Sequence, residues 1–123
     1  MQIHTEGGRA IARALRSNVA LCRLNLRLNR LGDEGGRAIL DVTRNHPRLD
    51  SLDLAHNGLA SLSAHALCKC LTHNSTLWEL DLSGNDFNTE GGSAIREVLE
   101  TNQTVQVRNT YVFFKYTCMH ASG

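Results

Sequence analysis

The sequence predicts an α/β solenoid, in which short parallel strands line a concave face and helices cover the convex face. A pattern of leucines with one asparagine begins at Leu21, Leu49 and Leu77, so its copies are 28 residues apart. Between the copies lie amphipathic segments that begin with glycine or other small residues. A fixed period in this range is typical of repeat proteins, in which each unit buries its apolar face on its neighbours.

Each copy is predicted to form one short strand. Leucines alternate with other residues there, which places the leucines on one face of the strand. The spacing LxxLxLxxNxL is that of a leucine-rich repeat. The asparagine that follows each strand is predicted to be structural, because an amide can both donate to and accept from the backbone groups of a sharp turn. These structural asparagines are Asn29, Asn57 and Asn85.

The segments between the strands are predicted to be helices. Apolar residues recur there at i, i+1, i+4 and i+5, which makes one stripe facing the sheet. Residues of N-cap type stand ahead of each segment, and we expect them to cap the helix that follows: Thr5, Asp33, Ser61 and Thr89. The column at the other end is expected to stop each helix with a positive φ: Asn18, His46, Asn74 and Asn102.

The period divides the chain into three parts. Residues 1–20 form an incomplete leading repeat with a helix only, residues 21–107 form three 28-residue repeats, and residues 108–123 form a divergent tail that holds four of the six aromatic residues. The leading helix would expose Ile11 and Leu15 where a preceding repeat should pack. We therefore expect either that the chain is a fragment of a longer solenoid or that another chain completes its N-terminal end.

Composition favours an ordinary soluble protein. Hydrophobic residues make up 41% and charged residues 20%, with a net charge of +1, so we expect neither nucleic acid nor membrane as a partner. The sequence shows no apolar run of spanning length and no secretory signal. We expect a cytoplasmic protein with reduced cysteines.

No catalytic or metal site is predicted, and no cofactor. Cys68 and Cys70 resemble a metal pair, but residues two apart on a helix point about 200° away from each other. Asp53 and Asp81 occupy the same column on adjacent strands. Such a pair can do acid–base chemistry when one pKa is raised, but their open position favours a solvated binding surface. The sequence therefore predicts a protein that is not an enzyme.

The predicted binding surface consists of the residues between the strand leucines, because these have no evident structural role and face the concave side. They are Arg23, Asn25, Arg27, Ser51, Asp53, Ala55, Glu79, Asp81 and Ser83. Charge is polarised along the chain: residues 1–48 carry +5, residues 49–107 carry −6, and residues 108–123 carry +2. This polarity indicates simple variation of a solvated surface, two halves that meet different partners, or chains that stack basic end to acidic end.

The period, the asparagine column and the glycine-containing helix starts resemble the ribonuclease-inhibitor type of leucine-rich repeat over residues 5–107. Within that stretch, Leu24-Asn25-Leu26-Arg27-Leu28-Asn29 followed by Asp33-Glu34-Gly35-Gly36 is similar to repeats of the dynein regulatory complex family. That resemblance implies a non-enzymatic interaction scaffold in the nexin link of the ciliary or flagellar axoneme, with other axonemal subunits as partners and a cytoskeletal location. Two alternatives share the architecture: a GTPase-activating protein of the Ran type, and a ribonuclease-inhibitor-like or innate-immune sensing arc.

Overall fold

The computed structural model describes residues 4–74, 76–101, 111–114 and 117–120, the last two segments as backbone. Four helices alternate with the first strands: α1 (Thr5–Ser17), α2 (Gly32–Thr43), α3 (Ser61–His73) and α4 (Asn88–Thr101). The strands are β1 (Arg23–Asn25), β2 (Ser51–Asp53), β3 (Glu79–Asp81), β4 (Tyr111–Phe114) and β5 (Thr117–His120).

The strands form one open sheet in the order β1-β2-β3-β4-β5. Pairing is parallel from β1 through β4, and β5 turns back antiparallel on β4. Arg23 pairs with Ser51 and Ser51 pairs with Glu79, so the register follows the sequence period. The predicted fold class, a short leucine-rich repeat arc with parallel strands and flanking helices, is confirmed.

The register changes after β3. Glu79 pairs with Tyr111, whereas the 28-residue period would place its partner at residue 107. Residues 102–110, which join α4 to β4, lie outside the described residues, and so does the continuation of the leucine column at Val105. The sheet is therefore extended at this end by a β-hairpin rather than by a further strand in the same period.

The core lies between the sheet and the helices. The inner strand leucines Leu52, Leu54, Leu80 and Leu82 are at most 1% exposed, and they pack with Ile39, Leu67 and Ile95 of the helical stripes. The apolar stripe is confirmed in α2 and α3. At the two ends the predicted stripe is wrong in part, because Ala10, Ala14 and Ala94 are exposed. The expected exposure of Ile11 and Leu15 is also wrong, since Leu15 is 2% exposed and Ile11 packs against the core.

The predicted N-caps do not cap their own helices. The residues that precede α1, α2 and α3 make no side-chain cap bond. Instead, the Asp33 carboxylate in the first turn of α2 accepts hydrogen bonds from the backbone N–H groups of Ala60, Leu62 and Ser63 at the start of α3. The Asp33 cap therefore acts between repeats. At α4 the cap is Asn88, whose Oδ1 accepts from the Gly91 N–H at 2.9 Å, and Thr89 lies inside the helix.

The expected positive φ at the helix ends is also wrong. Asn18 has φ −93° and Asn74 has φ −81°, while Asn102 lies outside the described residues. Positive φ occurs instead after the strands, at Leu28, His56 and Gly84. At Gly84 a side chain would also collide with His56, since an added Cβ would lie 2.0 Å from its Nδ1. The tight turn of each repeat is thus on the strand side.

Candidate partner-binding surface

The predicted binding residues lie on three adjacent strands and in the turns that follow them. Arg23, Ser51 and Glu79 form one row across the sheet, and Asn25, Asp53 and Asp81 form the next. Six of the nine predicted residues line a shallow groove of about 480 Å³ on this face, together with Leu24 and Leu52. Arg27, Ala55 and Ser83 follow the strands, and Ala55 is 0% exposed, so its side chain is not available to a partner.

Arg27 links all three repeats across the concave face. Its Nη1 lies 3.7 Å from Asp53 Oδ2 and 3.4 Å from Asp81 Oδ2. Because the Arg27 side chain is 42% exposed, water and salt screen these pairs, and they contribute little to stability. Their main effect is to set the position of one positive charge above two negative ones.

Backbone hydrogen bonds orient the middle row. Asn25 Oδ1 accepts from the Arg27 N–H at 3.1 Å, Asp53 Oδ1 from the Ala55 N–H at 3.0 Å, and Asp81 Oδ1 from the Ser83 N–H at 2.9 Å. One oxygen of each side chain therefore has a structural role, contrary to the expectation that these residues have none. The second carboxylate oxygen of each aspartate is directed to Arg27.

The first row differs in charge across the strands. Arg23 on β1 is exposed, and the Ser51 hydroxyl donates to Glu79 Oε1 at 2.8 Å. β1 and its turn thus present two arginines, whereas β3 presents two carboxylates. The concave face is positive over the first repeat and negative over the third.

The asparagine column forms a ladder directly behind this surface. Asn57 Oδ1 accepts from the N–H groups of Asn29 and Leu31 in the preceding repeat, at 3.0 and 3.3 Å. Its Nδ2 donates to the carbonyls of Leu26 and Ala55. Asn85 repeats the arrangement one repeat later, accepting from Asn57 and donating to Leu54 and Leu82. Because these amides are buried, the turns that carry Arg27 and Ser83 are held at fixed positions.

A second polar column lies at the opposite end of the strands. His46 and Asn74 are both 4% exposed. His46 Nδ1 accepts from the N–H groups of Arg48 and Leu49, and Nε2 lies 2.8 Å from the Asn18 carbonyl oxygen. Asn74 accepts from the corresponding N–H groups of Thr76 and Leu77, but its Nδ2 donates to the Thr43 carbonyl, which is not the counterpart of Asn18. The recurrence of polar residues at 18, 46 and 74 was the available signal. Asn18 and Asn74 directly follow the last residues of α1 and α3, as predicted, and the column also supports the adjacent loops.

Trp78 is a surface residue that the repeat pattern does not single out. It directly precedes β3 and is 45% exposed, next to Glu79 of the concave row. A partly exposed tryptophan beside charged residues is typical of an energetic anchor in protein interfaces. Its signal in the sequence is that it is the chain's single tryptophan.

Among the described residues, no group of three or more histidine, cysteine or acidic side chains is placed to hold a metal ion. The described cysteine side chains, Cys22, Cys68 and Cys70, are free thiols. Burial raises the pKa of the Cys70 thiol to about 12, so it remains protonated and unreactive near neutral pH. None of the described helices has the length and apolar character needed to cross a membrane.

Comparison with known proteins agrees with this geometry. A family model described as "Leucine Rich repeat" matches residues 21–40 and 73–95. Among solved structures, the leiomodin-1 actin-binding site 2 is similar, with a TM-score of 0.72 at 17% sequence identity. That match covers 85% of this chain and 60% of the leiomodin-1 chain, so the chain spans less than two thirds of that structure. No curated protein matches the sequence.

The likeness to leiomodin-1 at this level of identity concerns the fold. Together with the repeated leucine pattern, the 28-residue strand register and the asparagine ladder, it leads to one conclusion. The chain folds as a short leucine-rich repeat solenoid.

Proposed function

We propose that this protein is a non-enzymatic interaction scaffold that binds a protein partner through its concave face. The observation that carries the proposal is the row arrangement of Arg23, Arg27, Glu79 and Asp81 on a rigid sheet. Charges of both signs at fixed positions favour one orientation of a partner and disfavour partners with the wrong pattern. Trp78, which directly precedes β3 and is 45% exposed, would supply an apolar anchor, since tryptophan is enriched among the residues that dominate interface binding energy.

The partner should present acidic groups to β1 and basic groups to β3. Neighbouring strands are about 4.8 Å apart, so the positive and negative edges of the surface are separated by about 10 Å. Arg27 partly neutralises Asp53 and Asp81 in the unbound protein. A basic group of the partner can therefore displace Arg27 from the two aspartates. The exchange of one cation for another costs little electrostatic energy and favours a partner with a basic group at that position.

We also propose where in the cell the protein acts. The resemblance of residues 24–36 to dynein regulatory complex subunit 5, the T-complex-associated testis-expressed protein, supports a cytoskeletal role in the ciliary or flagellar axoneme. There the protein would act as a subunit of the nexin–dynein regulatory complex that controls motility. We further propose that its partners are other axonemal subunits, and that one of them completes the solenoid beside α1.

Crosslinking mass spectrometry on native ciliary axonemes tests this location. The proposal expects the chain to be present and to crosslink to components of the link between outer doublet microtubules, some of them through residues beside α1. Absence of the chain from purified axonemes contradicts the axonemal part.

The similar leiomodin-1 structure is described as an actin-binding site, so actin is the alternative partner to test. Cosedimentation of the purified chain with actin filaments should leave it in the supernatant if its partners are axonemal. If the chain instead cosediments saturably and Arg23→Glu abolishes this, the concave face is still the binding surface, but the partner is actin rather than an axonemal subunit.

A further inference from the structure

A second surface lies on the convex side, between α3 and α4. A groove of about 640 Å³ runs along this seam, with Ala64, Cys68 and Thr72 on one wall and Gly91, Ala94 and Val98 on the other. Most of its lining is apolar. It lies on the opposite side of the molecule from the concave rows, so its occupation does not depend on the function proposed above.

The groove exists because shorter side chains line this seam than the earlier ones. Between α1 and α2, Arg9 reaches across to form an ion pair with Glu34. Two repeats later the same positions hold His65 and Glu90, which line the groove and form no ion pair within the described residues. In α2, the fully buried Leu40 occupies the position that corresponds to Cys68 in α3. Cysteine is smaller than leucine, and Ala94 on the facing helix is exposed, so the third seam remains open.

The shape of the groove suits another helix. Ala64, Cys68 and Thr72 are spaced four residues apart, so they form a straight wall about 12 Å long on α3. Small side chains along such a wall let the ridge of a third helix approach the α3 and α4 backbones closely. Amphipathic helices bind grooves of this kind through apolar residues at i, i+4 and i+7.

The acidic residues of the groove indicate which charges should flank the apolar stripe of the bound helix. Glu90 and Glu97 both line the α4 side, and seven residues correspond to about 10.5 Å, or two helical turns. Within the part of the chain that the structure describes, neither carboxylate forms an ion pair. A parallel or antiparallel helix with basic residues seven positions apart would place one cation beside each glutamate.

We propose that this α3–α4 groove docks an amphipathic helix of a second protein, with an apolar stripe flanked by two lysines or arginines seven residues apart. The scaffold would then hold one partner on its concave face and another on its convex face. Burial of the apolar stripe would supply most of the affinity, and Glu90 and Glu97 would fix the register of the helix.

Titration of the full chain with synthetic helical peptides tests this inference. One probe is a 16-residue amphipathic peptide with leucines at i, i+4, i+7 and i+11 and two lysines seven residues apart; its control carries glutamates in place of the lysines. We expect the lysine peptide to bind at least about tenfold more tightly than the glutamate peptide, which corresponds to about 1.4 kcal/mol.

Variants of the chain locate the binding. Cys68→Leu introduces the residue found at the corresponding position of α2 and should fill the groove. We expect it to lower the affinity for the lysine peptide by about tenfold or more. Ala94→Leu fills the groove from an exposed position, so the test does not depend on whether the first variant folds. Glu90→Lys with Glu97→Lys should weaken binding similarly, whereas Glu100→Lys, on the same helix outside the groove, should change it by less than about twofold.

The inference is overturned by any of three results: unchanged peptide binding in both groove-filling variants, equal affinity for the lysine and glutamate peptides, or an equal loss in Glu100→Lys. The last result would indicate general attraction of a cationic peptide to an acidic helix.

Discussion

Asp33 joins two repeats through a single carboxylate. Its oxygens accept three backbone N–H groups at the start of α3, at distances of 2.8 to 2.9 Å. An aspartate is a good partner there, because the positive end of a helix dipole favours a negative charge. The residue type was evident from the sequence, but its target was not, because local spacing cannot tell whether a cap serves its own helix or the stacked neighbour.

Replacement of Asp33 tests this interaction. We expect Asp33→Ala to lower the free energy of unfolding by about 1 to 2 kcal/mol, the usual cost of losing a helix cap. Asp41→Ala, which removes only an exposed ion pair with Arg37, should cost less than about 0.5 kcal/mol. Urea denaturation followed by circular dichroism measures both. Equal costs in the two variants would contradict the capping role.

The stability contributed by Asp33 should depend on pH. Burial raises the pKa of this carboxyl, but the N–H groups of Ser63, Leu62 and Ala60 outweigh it and hold the pKa below 3.8. A lowered folded-state pKa means that the contribution is present above the unfolded-state pKa of about 3.9 and is lost as pH falls through the folded value. The difference in unfolding free energy between wild type and Asp33→Ala should therefore shrink below about pH 4. A difference in unfolding free energy that stays constant down to pH 2 would contradict a stabilising role of the ionised Asp33.

His46 gives a second residue-scale prediction. Both ring nitrogens are engaged with backbone groups, and one of these, the Leu49 N–H, is buried. His46→Ala should cost about 2 to 3 kcal/mol, since unpaired buried groups are expensive. His46→Asn should recover part of the loss, because Asn74 accepts from the two corresponding N–H groups in the next repeat. Thermal unfolding of the three proteins measures this, and no recovery in the asparagine variant would show that the two positions are not equivalent.

At the scale of secondary-structure elements, the strand-to-helix turns depend on the asparagine ladder. Asn57 accepts two N–H groups and donates to two carbonyls, so an amide fits and a carboxylate does not. Asn57→Asp keeps the acceptor oxygens but directs a negative charge at the Leu26 and Ala55 carbonyls. We expect it to destabilise the protein at neutral pH by more than Asn57→Ala, which we expect to cost about 2 to 3 kcal/mol. Chemical denaturation compares the two, and a milder effect of aspartate contradicts the donor role.

The sequence predicts the elements well where the repeat determines them. Strand positions, the buried faces of α2 and α3 and the asparagine column follow from the leucine spacing, because a repeat stacked on both sides gives each column the same environment. The register after β3 does not follow, since Tyr111 replaces residue 107 as the partner of Glu79, and no complete fourth copy of the leucine pattern exists there to align. The burial of Ala55 and the second polar column around His46 depend on how adjacent loops stack, which spacing alone does not specify.

At the scale of the whole molecule, the two ends of the sheet differ. β1 is an edge strand, and Leu21 and Leu24 in and before it are only partly buried, whereas Leu49 and Leu52 in the next repeat are at most 1% exposed. Less burial means that local opening costs less free energy. The first repeat therefore opens more readily than the second, which favours binding of a partner beside it.

Amide hydrogen exchange tests this gradient. The Leu26 N–H donates to the Asp53 carbonyl at 2.8 Å, and the Leu54 N–H makes the equivalent bond to Asp81 at 2.9 Å. We expect Leu26 to exchange faster than Leu54 in the isolated chain, by about tenfold for each 1.4 kcal/mol of difference in opening free energy. Equal protection of both amides would show that the first repeat is as stable as the second and needs no neighbour.

The most direct test of the proposed scaffold is site-specific photocrosslinking in native axoneme extract. A photoreactive residue replaces Ser51 at the centre of the concave face, or Asp41 on the exposed side of α2, away from the α3–α4 groove. We expect a discrete crosslinked partner from position 51 that disappears when Arg23 and Arg27 are both changed to glutamate, and no such product from position 41. A product that forms equally from both positions, or that survives the double charge reversal, would contradict partner binding through the concave face.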